Sequence, residues 1–246
     1  MGNAIKAIIA DSDNNFGKLL AAELSAEGIG VSVCGKGGSE LAEVIARGEA
    51  DAVIMVDKGN GWDMDEFISA CHERVHKTFF IVISEGGNEL RERLGGCACM
   101  ISHPVDAKQI SRIIVSAYVE RLGETGRDSI EKYAETMLCE SGVIANLRGT
   151  RYLARAVAMT VNDSGRSCDI CGVYEDVARK FGKTAASVER AVRMTVRLAF
   201  DRGDRELMTE AFGDIPANSR FIEYFSDKLC TRIIRDGIPS GSGSEQ

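Results

Sequence analysis

Five short apolar runs, each separated from the next by an amphipathic stretch, constrain this chain more than any other feature. They are AIIA (Ala7–Ala10), Val31–Cys34, AVIMV (Ala52–Val56), FFIVIS (Phe79–Ser84) and CACMIS (Cys97–Ser102). Runs this short, bounded by polar or glycine-rich residues and rich in Val and Ile, read as buried strands. Helical spacing between them predicts helices over Asn15–Ala26, Glu40–Ala46, Asp65–Glu73 and Glu89–Leu94, with Ala107–Arg121 closing the series. Strands that alternate with helices lie parallel, because each return path crosses a face of the sheet. Five such units predict a flavodoxin-like doubly wound α/β fold. The functional edge of that fold lies at the C-terminal ends of its strands.

Beyond Arg121 the pattern changes. LGETGR (Leu122–Arg127) reads as a hinge, and Ser129–Leu138 as a helix of the linker or the start of the next domain. Helical spacing then recurs at Arg151–Val161, Tyr174–Phe181, Ala186–Phe200, Arg205–Ala211 and Ser219–Arg235, with no strand signal. The expected organisation is an α/β domain over 1–122, a linker over 123–140, an all-α domain over 141–237 and a tail over 238–246. The tail, PSGSGSEQ after Ile238, is flexible by composition.

The net charge of −7 conceals an asymmetry. Residues 1–139 hold 14 Lys+Arg against 22 Asp+Glu and sum to −8, whereas residues 140–246 hold 16 against 15 and sum to +1. An anion-binding function therefore belongs to the second half and depends on a local cluster of cations. No run approaches membrane-spanning length and no signal region opens the sequence, which predicts a soluble, cytoplasmic protein. The eight cysteines form no disulfide framework and read as free thiols. Cys168-Asp-Ile-Cys171 has no second ligand pair, so it does not complete a zinc site.

Within the second half, YEDVARKFGKTAASVERAVRMTVRLAFDRG (Tyr174–Gly203) reads as a helix, a glycine break and a second helix. Gly182 suits the left-handed residue that ends a helix, and Thr184 suits the cap of the next one. On that next helix Val188, Ala191, Val192, Thr195 and Ala199 share one side, while Arg190, Arg193 and Arg197 share another. A helix docked by one face and cationic on the other suits the major groove of double-stranded DNA. From spacing alone, a helical hairpin with a solvated arginine stripe fits equally well.

The surrounding residues resemble the C-terminal effector domain of the stage-zero sporulation protein A family, a sporulation response regulator. The resemblance runs over about Ser141–Arg235. It rests on LRGTRYLARAVAMTVND (Leu147–Asp163), the VERAVR core (Val188–Arg193) and FGDIPANSRFIEYFSDKL (Phe212–Leu229), with Pro-x-Asn-Ser-x-Phe-Ile at Pro216–Ile222 the most specific element. It implies sequence-specific DNA binding and transcription regulation rather than an enzyme. Glu189, Arg190 and Arg193 are then recognition-helix residues, since arginine bonds guanine bidentately and glutamate accepts from cytosine. Lys183 and Arg197 are phosphate contacts. Where the family carries an arginine before Val188, this chain has Ser187, which removes one guanine contact.

The same resemblance makes the first domain a response-regulator receiver, with a damaged pocket. Asp57 is the phosphoacceptor candidate. Asp11, Asp13 and Asp57 are candidate Mg2+ ligands, but Ser12 stands where the family has a second acid. An alternative alignment through Asp63 and Phe67 puts Val56 in the acceptor position. Ser84 matches the switch hydroxyl, and His103-Pro104 replaces Lys-Pro. A lysine is fully cationic at neutral pH, whereas a histidine is mostly neutral. Losing a carboxylate weakens a site for a hard cation. The expectation is a degenerate receiver that holds Mg2+ weakly, dimerises through this domain and answers to a phosphorelay protein. Two other readings stand beside it: a protein that titrates a relative or a phosphorelay partner, and a thiol sensor using Cys97/Cys99 or Cys168/Cys171.

Overall fold

The structure, a computed structural model, describes residues 5–11, 15–34, 38–48, 50–57, 67–68, 71, 78–84, 98–102, 104–162 and 170–238. The chain forms two compact units: the chain up to Arg121 together with Ile234–Gly237, and Leu122–Ile233 with the residues from Ile238 on.

In the first unit β1 (Lys6–Ala10), β2 (Gly30–Cys34), β3 (Ala52–Asp57), β4 (Phe79–Ser84) and β5 (Ala98–Ile101) form one parallel sheet in the order β2-β1-β3-β4-β5. This is the flavodoxin-like order, whose switch point lies between β1 and β3. β3 and β4 are buried almost throughout, whereas β2 at the edge is partly exposed. Helices α1 (Asn15–Ala26), α2 (Gly38–Ala46) and α3 (Ala107–Arg121) cover the sheet. Alternating strand residues build two cores. Ile8, Val53, Met55, Phe80 and Val82 join Leu41 and Ile45 of α2 on one face. Ile9, Ile54, Ile81 and Ile83, also fully buried, point to the other.

Phe67, Ile68 and Cys71 are helical, as expected within 65–73, while the helix expected over 89–94 lies outside the described residues. At the N-terminal end of the strands, Asp51 ties the base of the sheet to α3. Its Oδ1 accepts from Arg121 at 2.6 Å and its Oδ2 accepts from the Lys6 backbone N–H at 3.0 Å.

The second unit is helical among the described residues: α4 (Gly123–Glu140), α5 (Arg148–Asn162), α6 (Ile170–Phe181), α7 (Ala185–Arg202), α8 (Arg205–Phe212) and α9 (Asn218–Asp236) as far as Ile233. The helix expected over Ser129–Leu138 is present and begins earlier, at Gly123, so that it takes in most of the expected hinge Leu122–Arg127. Ile130, Ala134, Met137 and Leu138 of α4 are completely buried. Glu131 of α4 takes Arg155 of α5 at 3.2 Å and Lys180 of α6 at 2.7 Å. Apolar residues at helical spacing inside LGETGRDSIEKYAETML drive this packing.

Two glycine contacts set how closely these helices approach. Gly149 of α5 lies so near α7 that a Cβ there would meet the Thr195 hydroxyl and stand 2.5 Å from the Ala191 carbonyl oxygen. Gly203, just past α7, faces the Gly142 carbonyl equally tightly. An aromatic cluster explains part of the Phe212–Leu229 motif. Phe212 stacks on Phe221 at 5.3 Å, and Phe221 lies 4.7 Å from Phe225. No helix among the described residues is long and apolar enough to cross a membrane.

Candidate nucleic-acid interface and strand-edge pocket

The strand ends of the first unit bring three of the expected residues to one edge. Asp57 is the last residue of β3 and stands opposite Ser84 at the end of β4. The Ser84 hydroxyl donates to Asp57 Oδ2 at 3.0 Å. Asp11 follows β1 directly, and the pairing of Ala10 with Met55 sets it level with Val56. Val56 itself is buried, with its side chain on the opposite face of the strand from its neighbour Asp57. Ser12, Asp13 and His103 lie outside the described residues.

Asp11 is buried and already engaged. Its Oδ2 accepts from the Gly17 N–H at 2.7 Å, in the first turn of α1. A carboxylate there satisfies one of the orphan donors of a helix start. The approach is close enough that a Cβ on Gly17 would stand 2.9 Å from the Asp11 Cβ. Among the described residues no group of three His, Cys, Asp or Glu side chains could hold a metal ion. A hard dication wants several anionic oxygens, and the described donors supply two carboxylates that both carry hydrogen bonds.

In the second unit, α6, a tight turn and α7 form the helix–turn–helix that the spacing allows. Gly182 takes φ 62°, and the Lys183 N–H returns to the Ala178 carbonyl at 2.9 Å. Thr184 is extended, and its hydroxyl accepts from the Ser187 N–H at 3.2 Å. Val188, Val192, Thr195 and Ala199 are buried as expected; Val196 and Phe200 join them. Ala191 is half-buried but presents its carbonyl to Gly149. On the outside Lys183, Ser187, Arg190, Arg193 and Arg197 are all exposed, and Glu189 is half-exposed.

The cations are not equivalent. Arg193 pairs with Glu189 one turn earlier, whereas Arg190 and Arg197 hold no salt bridge among the described residues. An open groove of about 760 Å³ runs between α7 and the turn before α9, lined by Glu189, Arg193, Arg197, Tyr174, Pro216 and Asn218 among others. The Asn218 amide donates to the Glu189 carbonyl at 3.4 Å, tying the Pro-Ala-Asn-Ser turn to the middle of α7. Burial raises the Tyr174 pKa, against the opposing pull of Asn218. Its hydroxyl lies beside that amide without closing a bond of good geometry.

Residues 134–229 match the family model of the sporulation initiation factor Spo0A C terminal. The matched span opens inside α4 and closes inside α9, so the Spo0A-like region contains the whole helix–turn–helix. Several solved structures resemble the chain at low identity. One is the receiver domain of a Francisella response regulator (16% identity, 48% of this chain and 99% of that one, TM-score 0.42). Another is full-length FixJ from B. japonicum (16%, 96% and 98%, 0.41). A third is RcsB from Salmonella enterica serovar Typhimurium, solved bound to a promoter (12%, 91% and 99%, 0.39).

Three features of the Spo0A-like region escape a reading of the sequence: the Glu189–Arg193 pair, the Asn218 bond to α7 and the Gly149 contact. The first is readable only as an i, i+4 spacing; the others join positions far apart in sequence. Among the described residues, Cys34, Cys71, Cys99, Cys139, Cys171 and Cys230 form no disulfide with one another. Burial raises the Cys139 pKa, with Glu135 and Glu140 adding to it, so this thiol stays protonated. Cys97 and Cys168 lie outside the described residues.

Proposed function

We propose that the chain is a cytoplasmic, sequence-specific DNA-binding transcription regulator of the sporulation response-regulator type, with α7 as the helix that enters the major groove. The observation that carries this reading is the outer face of α7. It is cationic and exposed, it follows a well-capped turn, and it lies inside the Spo0A-like region. Arg190, without a salt bridge among the described residues, is the guanine reader. Arg193 and Glu189 act as a pair that must open before either meets a base. Lys183 and Arg197 neutralise phosphates.

Titrating the full chain with duplex DNA across a salt series tests the reading. Affinity falls with salt in proportion to the phosphates neutralised, while a selected sequence outcompetes random duplex. Equal affinity for all sequences, or no binding, would remove the assignment and favour a titrating protein instead. Restoring the family residue with Ser187→Arg raises affinity for the family's element by about 1–3 kcal/mol, the worth of one bidentate guanine contact. No gain would mean that α7 docks in another register.

For the first unit the same proposal assigns Asp57 as the remnant of a phosphoacceptor whose pocket is impaired. Its neighbours support this. Asp11 is drawn to the start of α1, Ser12 replaces an acid, and His103 replaces a lysine. Incubating the full chain with acetyl phosphate and Mg2+ therefore gives little acyl phosphate by intact-mass analysis. Ser12→Asp with His103→Lys recovers labelling, and Asp57→Asn abolishes the recovery. Efficient labelling of the unmodified chain would overturn the impairment; labelling that survives Asp57→Asn would overturn the acceptor. Dimerisation through this unit and a phosphorelay donor belong to the same reading. Sedimentation before and after repair checks the dimer.

A further inference from the structure

We propose that Met194 is a specificity-determining residue that reads the 5-methyl group of a thymine. The inference rests on the DNA-binding reading above and deepens it. Met194 is 51% exposed, one of four large hydrophobic side chains among the described residues that stand in the open. A single exposed apolar residue is unremarked on most surfaces. Its placement is what matters here. Ser187, Arg190, Met194 and Arg197 recur at i, i+3, i+7 and i+10 of α7, so they form one row along the helix, and all four are exposed. Met194 therefore sits in the middle of the face assigned to the groove, with a guanidinium group one turn to either side.

The chemistry of the row decides what each member can meet. Arginines suit phosphate oxygens and guanine edges, but a thioether side chain gains nothing from either. On the base edges of the major groove the apolar group on offer is the thymine C5-methyl. A methionine is long, unbranched and polarisable, which suits reaching a methyl from a helix whose backbone distance is set by its neighbours. Ser187, two row-steps back, is short and does not compete for that space. A thymine beside the base reached by Arg190 is then favoured by an apolar contact, with no hydrogen bond needed.

The test uses the full chain. Its preferred duplex is first selected from a random pool, and each thymine of that duplex is then replaced in turn by deoxyuridine, which lacks only the methyl. The unmodified protein loses about fourfold in affinity at one position, the worth of a single buried methyl group. Met194→Ala binds the thymine duplex about as weakly as the unmodified protein binds the deoxyuridine one, and shows no further loss at that position. Met194→Leu keeps the sensitivity, and far-UV circular dichroism confirms that both variants fold. The inference fails if no thymine is sensitive, or if the sensitivity persists in Met194→Ala. It also fails if Met194→Ala weakens only cooperative binding to paired sites, which would place the side chain between two copies of the chain. If the pool yields no preferred duplex at all, the DNA-binding reading falls with it. A preferred duplex that Arg190→Ala weakens, without any methyl effect, leaves that reading intact and removes only the role of Met194.

Discussion

Gly149→Ala destabilises the second unit by about 3 kcal/mol, at the upper end of what overpacking a close contact costs. The reason lies in what the new methyl would meet. Besides the Thr195 hydroxyl, which could turn aside, it would stand 2.5 Å from the Ala191 carbonyl oxygen and 3.0 Å from its carbonyl carbon. Those are backbone atoms of α7, already fixed in helical hydrogen bonds, and they cannot yield alone. The two helices must separate instead. Alanine in a helix is otherwise favoured over glycine by up to about 1 kcal/mol, so the expected sign is set by the contact and runs against propensity. Urea unfolding followed by hydrogen exchange in α5 and α7 reads the effect. Unchanged protection in those helices would mean that the crossing is looser than described. Because α7 carries the cationic face, DNA affinity falls together with stability in this variant.

Arg190→Ala lowers affinity for the selected duplex by about 1–3 kcal/mol, or roughly 5-fold to 150-fold, without touching the fold. The side chain is exposed and holds no salt bridge among the described residues, so truncation removes a contact to DNA and leaves nothing unpaired in the protein. Arg193→Ala costs less, because its guanidinium must first leave Glu189 and the free protein recovers part of that exchange. An exposed pair of this kind is itself worth well under about 1 kcal/mol, so the difference between the two variants is small but of fixed sign. Binding isotherms on the full chain at one salt concentration compare them directly. A larger loss at Arg193 than at Arg190 would reverse the assigned roles.

Much of the fold was legible because it rests on local signals. Runs rich in Val and Ile marked β1 to β4, and the apolar run CACMIS marked β5. Gly182 and Thr184 marked the turn, since a left-handed residue and a hydroxyl cap each leave a trace in one sequence. The limits of the local view appear at particular places. Helix α6 opens at Ile170 rather than Tyr174; Cys171 and Gly172 carry weak helical preference, so spacing alone does not extend the helix to them. At the strand edge, the Asp57–Ser84 pairing was foreseeable from two strand ends. The capture of Asp11 by Gly17 was not, because that contact depends on how α1 seats against β1. Likewise a glycine such as Gly149 reads as a helix weakness until its opposite neighbour is known.

The packing of α4 has a practical side for anyone who wishes to separate the two halves of this protein. The family match begins at residue 134, and the helical pattern of the second half invites a cut near Ser141. A fragment beginning there would strip Ile130, Ala134, Met137 and Leu138 from the interior and leave Arg155 and Lys180 without Glu131. Its failure to bind DNA would then say nothing about α7, because the scaffold under the helix would already be incomplete. A truncation meant to report on recognition has to retain the chain from Gly123, where the first turn of α4 begins.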